Sequence, residues 1–139
     1  MDETNTKHLY IFELDYVYDH SIKHFQYIGW PDHGAPKRTK SIIALAKVVR
    51  KIVASEKSNV KLLVHCAAGV GRTGTFIALY QLMEILDEKV AKHKLGNTSA
   101  SNNGNNLEEL TVDIFNTVFD LRKKRCEMVK FFKFLLNFS

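Results

Sequence analysis

The chain has 139 residues, 45% hydrophobic and 25% charged, a composition that is ordinary for a globular protein and excludes a low-complexity one. Its formal net charge of +5 suits an anionic substrate, but the lysines and arginines are scattered and do not favour nucleic-acid binding. Two cysteines make no disulfide framework, and the sequence contains neither a signal-peptide core nor a membrane-spanning run. We therefore expect a soluble, cytoplasmic protein without membrane insertion.

The first third of the chain predicts a hairpin followed by a loop. Residues 7–13 alternate polar and apolar side chains and predict a strand, and residues 22–30 predict a second, antiparallel strand. Residues 32–38 contain Gly34 and Pro36 and predict a loop.

A helix, a strand and a longer helix are predicted next. Thr39 or Ser41 is expected to cap the first helix. Its apolar positions recur at helical spacing and are Ile42, Ile43, Leu45, Ala46, Val49, Ile52 and Val53. Residues 60–64 predict a buried strand, and residues 65–74 form a glycine-rich turn. The following helix is expected to run from Thr73 to about residue 94 as a central buried helix, with apolar residues Leu79, Leu82, Met83, Ile85 and Leu86.

The last third of the chain begins with a polar segment. Residues 96–106, GNTSASNNGNN, cannot bury apolar area and predict a flexible surface loop. Residues 107–125 predict an amphipathic helix whose inner positions include Val112, Phe115, Val118, Phe119 and Arg122. Residues 129–138 are strongly apolar and would form a docking surface or an aggregation-prone patch if exposed.

The strand, turn and helix of residues 60–86 predict a cradle for an anion. Backbone N–H groups of a glycine-rich turn point into its concavity, and the helix N-terminus adds partial positive charge. The same field lowers the pKa of a thiol placed at the mouth, which makes Cys66 a candidate nucleophile. The guanidinium of Arg72 matches two phosphate oxygens.

Two motifs carry a resemblance to a known family. Residues 65–74, HCAAGVGRTG, resemble the phosphate-binding loop of the cysteine-dependent protein tyrosine phosphatases. Residues 27–34, YIGWPDHG, resemble the mobile acid loop of the classical branch of that family, and they precede Cys66 by the interval that this branch requires. The chain is identified on these motifs as the C-terminal half of a classical protein tyrosine phosphatase catalytic domain.

The resemblance implies a role for each matching residue. Cys66 attacks phosphorus and forms a phosphocysteine, and Arg72 binds the equatorial oxygens. Asp32 acts as general acid and then as general base. Thr73 donates its hydroxyl to the departing thiolate, and His65 orients the loop. The substrate-binding positions are Ala67, Ala68, Gly69, Val70, Gly71 and Trp30, the last as hinge anchor of a closing loop.

Each of these residues also has a structural interpretation. Cys66 would be a small core cysteine, and Asp32 a turn residue that caps the next helix. Trp30 would be a core aromatic residue, and Thr73 a residue of the first helical turn. The histidines show no metal-ligand spacing, so the resemblance and the spacing both predict an enzyme without a metal or other cofactor.

The resemblance also implies a truncated domain. We expect residues 1–139 to form a single α/β domain, a partial mixed sheet flanked by helices, without the N-terminal part of the family domain and its phosphotyrosine-recognition loop. The family pattern places a water-positioning glutamine where this chain has Lys130. Slow hydrolysis of the phosphoenzyme is therefore expected.

Two functions follow. The first is hydrolysis of phosphotyrosine in proteins; the uncharged Ala67, Ala68 and Val70 favour it over hydrolysis of phosphoinositides, which would require basic residues in the loop. The second is a catalytically impaired protein that binds phosphotyrosine-containing proteins or another partner. Cys66, Arg72 and Asp32 favour the first, whereas Lys130 and the apolar C-terminal segment favour the second.

Overall fold

The computed structural model of the protein describes residues 9–15, 21–31, 34, 36, 38–56, 60–96 and 111–130. The chain divides into two units, Met1–Ser58 and Asn59–Ser139. The expectation of a single domain stays a prediction. The described residues form two strands and three helices, which agrees with an α/β protein.

The first unit opens with a β-hairpin. Strand β1 (Leu9–Asp15) pairs antiparallel with strand β2 (Ser21–Tyr27), so that Leu9 lies opposite Tyr27. The predicted antiparallel pair is confirmed, with β1 displaced toward the C-terminus and β2 ending before Ile28. The connection, residues 16–20, lies outside the described residues.

Helix α1 (Thr39–Ser55) follows in the same unit. Its apolar residues recur every three or four positions, which gathers them on one side of the helix. The buried residues of that side are Ile42, Leu45, Ala46 and Val49, all within the predicted set. The predicted cap is wrong: Arg38 occupies the N-cap position without a side-chain hydrogen bond, and Thr39 already lies in the helix.

The second unit is built on helix α2 (Gly71–Gly96), which packs against helix α3 (Ile114–Lys124). The buried residues of this unit come from α2, α3 and the turn after α3: Thr73, Gly74, Thr75, Ala78, Leu79, Leu82, Val118, Leu121, Met128 and Val129. The C-terminal half of α2 is different, because Ile85 and Leu86 are exposed. The prediction of a central buried helix is therefore correct only for the first half of α2.

Helix α3 begins later than predicted because Asp113 caps it. Its carboxylate accepts a hydrogen bond of 2.9 Å from the backbone N–H of Asn116, which satisfies a donor that has no partner within the helix. Three predicted inner positions are wrong: Phe115 is 68% exposed, Phe119 is 50% exposed, and Arg122 is exposed as well. The predicted inner position of Val118 is confirmed, and Leu121 is buried beside it.

Residues 60–64 do not form the predicted buried strand. They have no regular secondary structure and no paired neighbour among the described residues, and Leu63 is 86% exposed. An apolar run becomes a buried strand only where a neighbouring strand and a covering layer exist. Two other predicted segments, most of the polar loop at 96–106 and the apolar tail after residue 130, lie outside the described residues. Within the described part of the chain, no helix has the length and apolar character needed to cross a bilayer.

Candidate active site

The glycine-rich turn connects residues 60–66, which have no regular secondary structure, to the first turn of α2. The chain bends at residues 67–70, and α2 begins at Gly71. Gly69 has φ of +71°, in the left-handed region where a residue with a Cβ atom is strained. The predicted turn is present at residues 65–70, whereas residues 71–74 already belong to α2, which begins two residues before the predicted Thr73. Residues 60–66, which precede the turn, do not form a strand.

The thiol of Cys66 lies inside this turn. The backbone N–H of Gly69 donates to Cys66 Sγ over 3.2 Å. Burial of the sulfur raises its pKa, but the Thr73 hydroxyl, the backbone N–H groups of Thr73 and Gly69 and the charge of Arg72 together outweigh burial. They lower the pKa of Cys66 from 9.0 to about 7. A large fraction of the thiol is thus ionised at neutral pH, as a sulfur nucleophile requires.

Thr73 belongs to the first turn of α2 and is buried, with 6% of its surface exposed. Its hydroxyl lowers the pKa of the Cys66 thiol. Thr73 Oγ1 nevertheless makes no hydrogen bond of good geometry in the part of the chain that the structure describes, so it acts on the sulfur as a nearby dipole. Because it has no aligned partner, the buried Thr73 hydroxyl is available to donate a hydrogen bond to Cys66 Sγ when the sulfur is a thiolate.

The other predicted loop residues are also brought together in this turn. His65, Ala67 and Ala68 are exposed, whereas Val70, Gly71 and Arg72 are half-buried. The positive charge of Arg72 lowers the pKa of the thiol, because an adjacent cation stabilises the thiolate. Whether the His65 ring orients the loop stays a prediction.

The turn after α3, residues 125–130, packs directly on the glycine-rich turn. The backbone N–H of Val129 donates to the carbonyl oxygen of Val70 over 3.1 Å, and Arg125 Nη2 donates to the carbonyl oxygen of Ala68 over 3.3 Å. A Cβ atom at Gly74 would overlap the backbone nitrogen of Val129. The two segments are therefore in backbone-to-backbone contact.

Sequence reasoning missed this contact. It placed Arg122 among the inner positions of the helix predicted at residues 107–125 and treated Gly74 only as part of the loop motif. In the structure, the Arg122 guanidinium donates to the carbonyl oxygens of Met128 and Val129 at 2.9 and 3.2 Å. No local signal could have found this contact, because the acceptors are backbone carbonyl oxygens, which every residue carries.

Lys130 lies at the end of this second turn. It is exposed, and its Cβ atom lies 3.8 Å from the position that a Cβ atom at Gly71 would occupy. The backbone of Lys130 thus borders the start of α2. An ammonium group at this position can attract an anion, but unlike a glutamine amide it has no oxygen that accepts a hydrogen bond from water.

Trp30 belongs to the first unit, and Asp32 lies outside the described residues. The Trp30 indole is buried, with 6% of its surface exposed, and its Nε1–H donates to the carbonyl oxygen of Gly34 over 3.1 Å. Gly34 has φ of +109°, a conformation that glycine adopts readily. The indole therefore fixes the two ends of residues 30–34 to each other.

Other candidate sites in the described residues are less suited to chemistry. A cavity of about 280 Å³ in the second unit is lined mainly by apolar side chains and includes none of the predicted site residues. Its lining consists of Leu62, Val64, Phe76, Ile77, Tyr80, Gln81 and Glu84. Among the described residues there is also no group of three His, Cys, Asp or Glu side chains placed to hold a metal ion. Among the described residues, the glycine-rich turn around Cys66 is therefore the best candidate for a catalytic site.

Comparison with protein families gives a match over residues 1–136 to the family described as protein-tyrosine phosphatase. The sequence is 36% identical over 109 residues to receptor-type tyrosine-protein phosphatase V of Rattus norvegicus, covering 78% of this chain and 5% of that protein. It is 40% identical over 74 residues to tyrosine-protein phosphatase 3 of Schizosaccharomyces pombe, covering 52% of this chain and 24% of the relative.

A solved structure is also similar. The crystal structure of a protein tyrosine phosphatase of Trypanosoma brucei superposes with a TM-score of 0.60 and 27% sequence identity. The match covers 84% of this chain and 33% of that one. This likeness confirms the α/β prediction of a partial phosphatase-like fold. The chain spans only a small part, at most a third, of the relatives and of the solved structure compared here.

Proposed function

This chain belongs to the protein-tyrosine phosphatase family, and from that premise we propose that it hydrolyses phosphotyrosine in proteins through a cysteinyl-phosphate intermediate. One observation carries the proposal: the Cys66 thiol, with a pKa lowered to about 7, lies in a glycine-rich turn that opens helix α2. A thiolate at a helix N-terminus combines a nucleophile with an anion site.

The first step transfers the phosphoryl group to sulfur. The thiolate of Cys66 attacks phosphorus in line, an S–P bond forms, and the bond from phosphorus to the tyrosyl oxygen breaks. We assign to Asp32 the proton that the departing tyrosyl oxygen takes up. Arg72 and the N–H groups of the turn, with that of Gly69 directed at the sulfur, would stabilise the charge on the equatorial oxygens.

The second step releases phosphate. Water attacks phosphorus, the S–P bond breaks, and Asp32 takes the proton of the attacking water. We assign to the Thr73 hydroxyl a hydrogen bond to the departing thiolate, because this buried hydroxyl stands next to the sulfur without an aligned partner. No metal takes part in the proposed route.

A closing loop for Asp32 is part of the proposal. The hydrogen bond from Trp30 to the Gly34 carbonyl supports it, because it joins two residues that flank Asp32 in the sequence. A loop whose flanking residues are held to each other suits a group that must approach and leave the substrate. We accordingly assign Trp30 as the anchor of this loop.

A second candidate function is binding without useful turnover. Lys130 favours it, because an exposed lysine borders the start of α2 where the family pattern places a glutamine. Formation of the phosphoenzyme would then outrun its hydrolysis. A phosphocysteine retains only the phosphoryl group, because the dephosphorylated protein leaves in the first step. A chain that does not turn over would therefore hold phosphotyrosine-containing proteins as a non-covalent complex. Either function would place the chain in phosphotyrosine-dependent signal transduction.

Phosphate release from a phosphotyrosine peptide tests the first function. We expect turnover by the chain and none by Cys66→Ser, which keeps the fold but replaces the sulfur nucleophile. Rapid-quench measurements should show phosphocysteine before steady state. Binding of the peptide with no phosphate released would support the second function and contradict the first.

The variant Lys130→Gln separates the two functions further. We expect it to increase steady-state turnover several-fold and to lower the amount of phosphocysteine, because the amide can orient water. Lys124→Gln is the matched control, since it removes an exposed lysine of α3 and should leave both quantities unchanged. Equal phosphocysteine levels in Lys130→Gln and the parent chain would show that Lys130 does not limit hydrolysis.

A further inference from the structure

Two carbonyl groups of the glycine-rich turn accept hydrogen bonds from the turn after α3. The Ala68 oxygen accepts from Arg125 Nη2 at 3.3 Å. The Val70 oxygen accepts two backbone hydrogen bonds of 3.1 Å, from Gly74 and from Val129. The turn after α3, residues 125–130 (the C-terminal turn), therefore binds the peptide group after Ala68 and the peptide group after Val70.

The orientation of a carbonyl fixes the orientation of the next N–H group. In a planar trans peptide, the C=O of one residue and the N–H of the next point in opposite directions, and the described residues contain no cis peptide bond. An Ala68 oxygen held outward thus directs the Gly69 N–H inward, where it donates to Cys66 Sγ at 3.2 Å. The Val70 oxygen directs the Gly71 N–H in the same manner, away from Val129.

The C-terminal turn needs external support to hold this shape. Glu127 and Val129 have φ of 62° and 61°, a conformation that costs energy for any residue with a Cβ atom, and most for a β-branched one. Arg122 provides the support, because its Nε and Nη2 bind the consecutive carbonyl oxygens of Met128 and Val129 at 2.9 and 3.2 Å. A planar guanidinium can hold both oxygens at once.

We infer that Arg122 and Arg125 are positioning residues of the phosphate loop. Arg125 fixes the peptide between Ala68 and Gly69 directly, and Arg122 fixes the peptide between Val70 and Gly71 through Val129. Both arginines thereby aim backbone N–H groups at the anion that the loop binds, without touching the reacting atoms. This inference rests on the proposed function of the loop, but its test does not require turnover.

The test measures the pH dependence of Cys66 alkylation by iodoacetamide, in a Cys126→Ser background that leaves one thiol. We expect Arg125→Met to shift the midpoint upward by about one pH unit, because the Gly69 N–H loses its fixed direction. Lys124→Met removes the same charge one residue away and should shift the midpoint much less. Equal shifts in Arg125→Met and Lys124→Met would overturn the role of Arg125 and reduce it to a charge effect.

Arg122 is tested with Arg122→Lys, which keeps the charge but loses the planar fork. Inorganic phosphate is the probe, through the concentration that half-protects Cys66 from alkylation. We expect this concentration to rise several-fold in Arg122→Lys, with thermal unfolding confirming that the variant is folded. Unchanged protection would overturn the role of Arg122. The two arginine variants could show the expected shifts while the parent chain releases no phosphate from a phosphotyrosine peptide. That result would refute the proposed hydrolysis and still support the positioning roles of Arg122 and Arg125.

Discussion

Opposing forces act on the Cys66 sulfur. Burial disfavours the thiolate, while the hydroxyl and N–H dipoles around it and the charge of Arg72 favour it, and the balance lowers the pKa to about 7. We therefore predict that the rate of alkylation rises tenfold per pH unit below 7 and levels off above it. Cysteine alkylation in the unfolded chain should instead reach its midpoint near 9. A midpoint near 9 in the folded chain would show that the turn does not stabilise the thiolate.

The lowered pKa also links this residue to stability. The unfolded chain binds the proton more tightly than the folded chain between pH 7 and pH 9, so stability rises with pH across that window. The contribution is fully present above pH 9 and is lost as the pH falls through 7. We expect the difference in free energy of unfolding between the parent chain and Cys66→Ser to follow this course in urea titrations. A pH-independent difference would contradict it.

Much of this residue-scale chemistry could be predicted from the sequence. Cys66, Gly69 and Thr73 lie within eight positions of one another, and a short glycine-rich motif determines its own local geometry. The grip of Arg125 on the Ala68 carbonyl joins residues 57 positions apart. No local pattern encodes such a contact, because the partner is a backbone oxygen that every residue possesses.

At the scale of the elements, the first turn of α2 packs so closely on the turn after α3 that Gly74 has no space for a side chain. A methyl group at Gly74 would overlap the backbone of Val129, which cannot move as a side chain can. We predict that Gly74→Ala lowers the free energy of unfolding by about 1–3 kcal/mol. Gly71→Ala is the matched control in the same helical turn, since the nearest atom, Lys130 Cβ, lies at an ordinary 3.8 Å. Chemical denaturation of both variants gives the comparison, and equal losses would contradict the contact.

The two sides of helix α3 should differ in their contribution to stability. Phe119 is 50% exposed and stacks on Phe115 with ring centroids 6.2 Å apart, whereas Leu121 is 6% exposed. We expect Leu121→Ala to destabilise the chain by about 2–5 kcal/mol. Phe119→Ala should cost about 1 kcal/mol, the value of a partly exposed aromatic pair. A larger loss at Phe119 would mean that this ring is covered.

The same helix shows why element existence was easier to predict than orientation. The pattern of residues 107–125 indicates a helix, and one was found at Ile114–Lys124. Two phenylalanines one turn apart dominate any apolar average, yet the smaller Val118 and Leu121 face the interior. Burial depends on where α2 stands, and that information is not contained in the helix itself. The predicted strand at residues 60–64 failed for a related reason, since a strand is defined by its neighbours.

For the whole molecule, the net charge of +5 provides a further test. A cationic surface raises the local concentration of anionic ligands, and salt screens this attraction. We predict that iodoacetate, which is anionic, alkylates Cys66 several-fold more slowly at 0.5 M than at about 0.05 M salt. Neutral iodoacetamide should react at the same rate in both. A similar salt effect on both reagents would indicate a change of conformation rather than screening.

The grip of the C-terminal turn on the glycine-rich turn has a consequence for biosynthesis. Ribosomes deliver a chain from its N-terminus, so Cys66 emerges long before Arg122, Arg125 and Val129. Until these residues arrive, the Ala68 carbonyl lacks its Arg125 partner and the Val70 carbonyl keeps only the Gly74 N–H, so the direction of the Gly69 N–H toward the sulfur is not yet fixed. The nascent protein therefore carries a thiol that is less acidic than that of the folded chain, and the pKa of Cys66 reaches its final value only after the turn after α3 has formed.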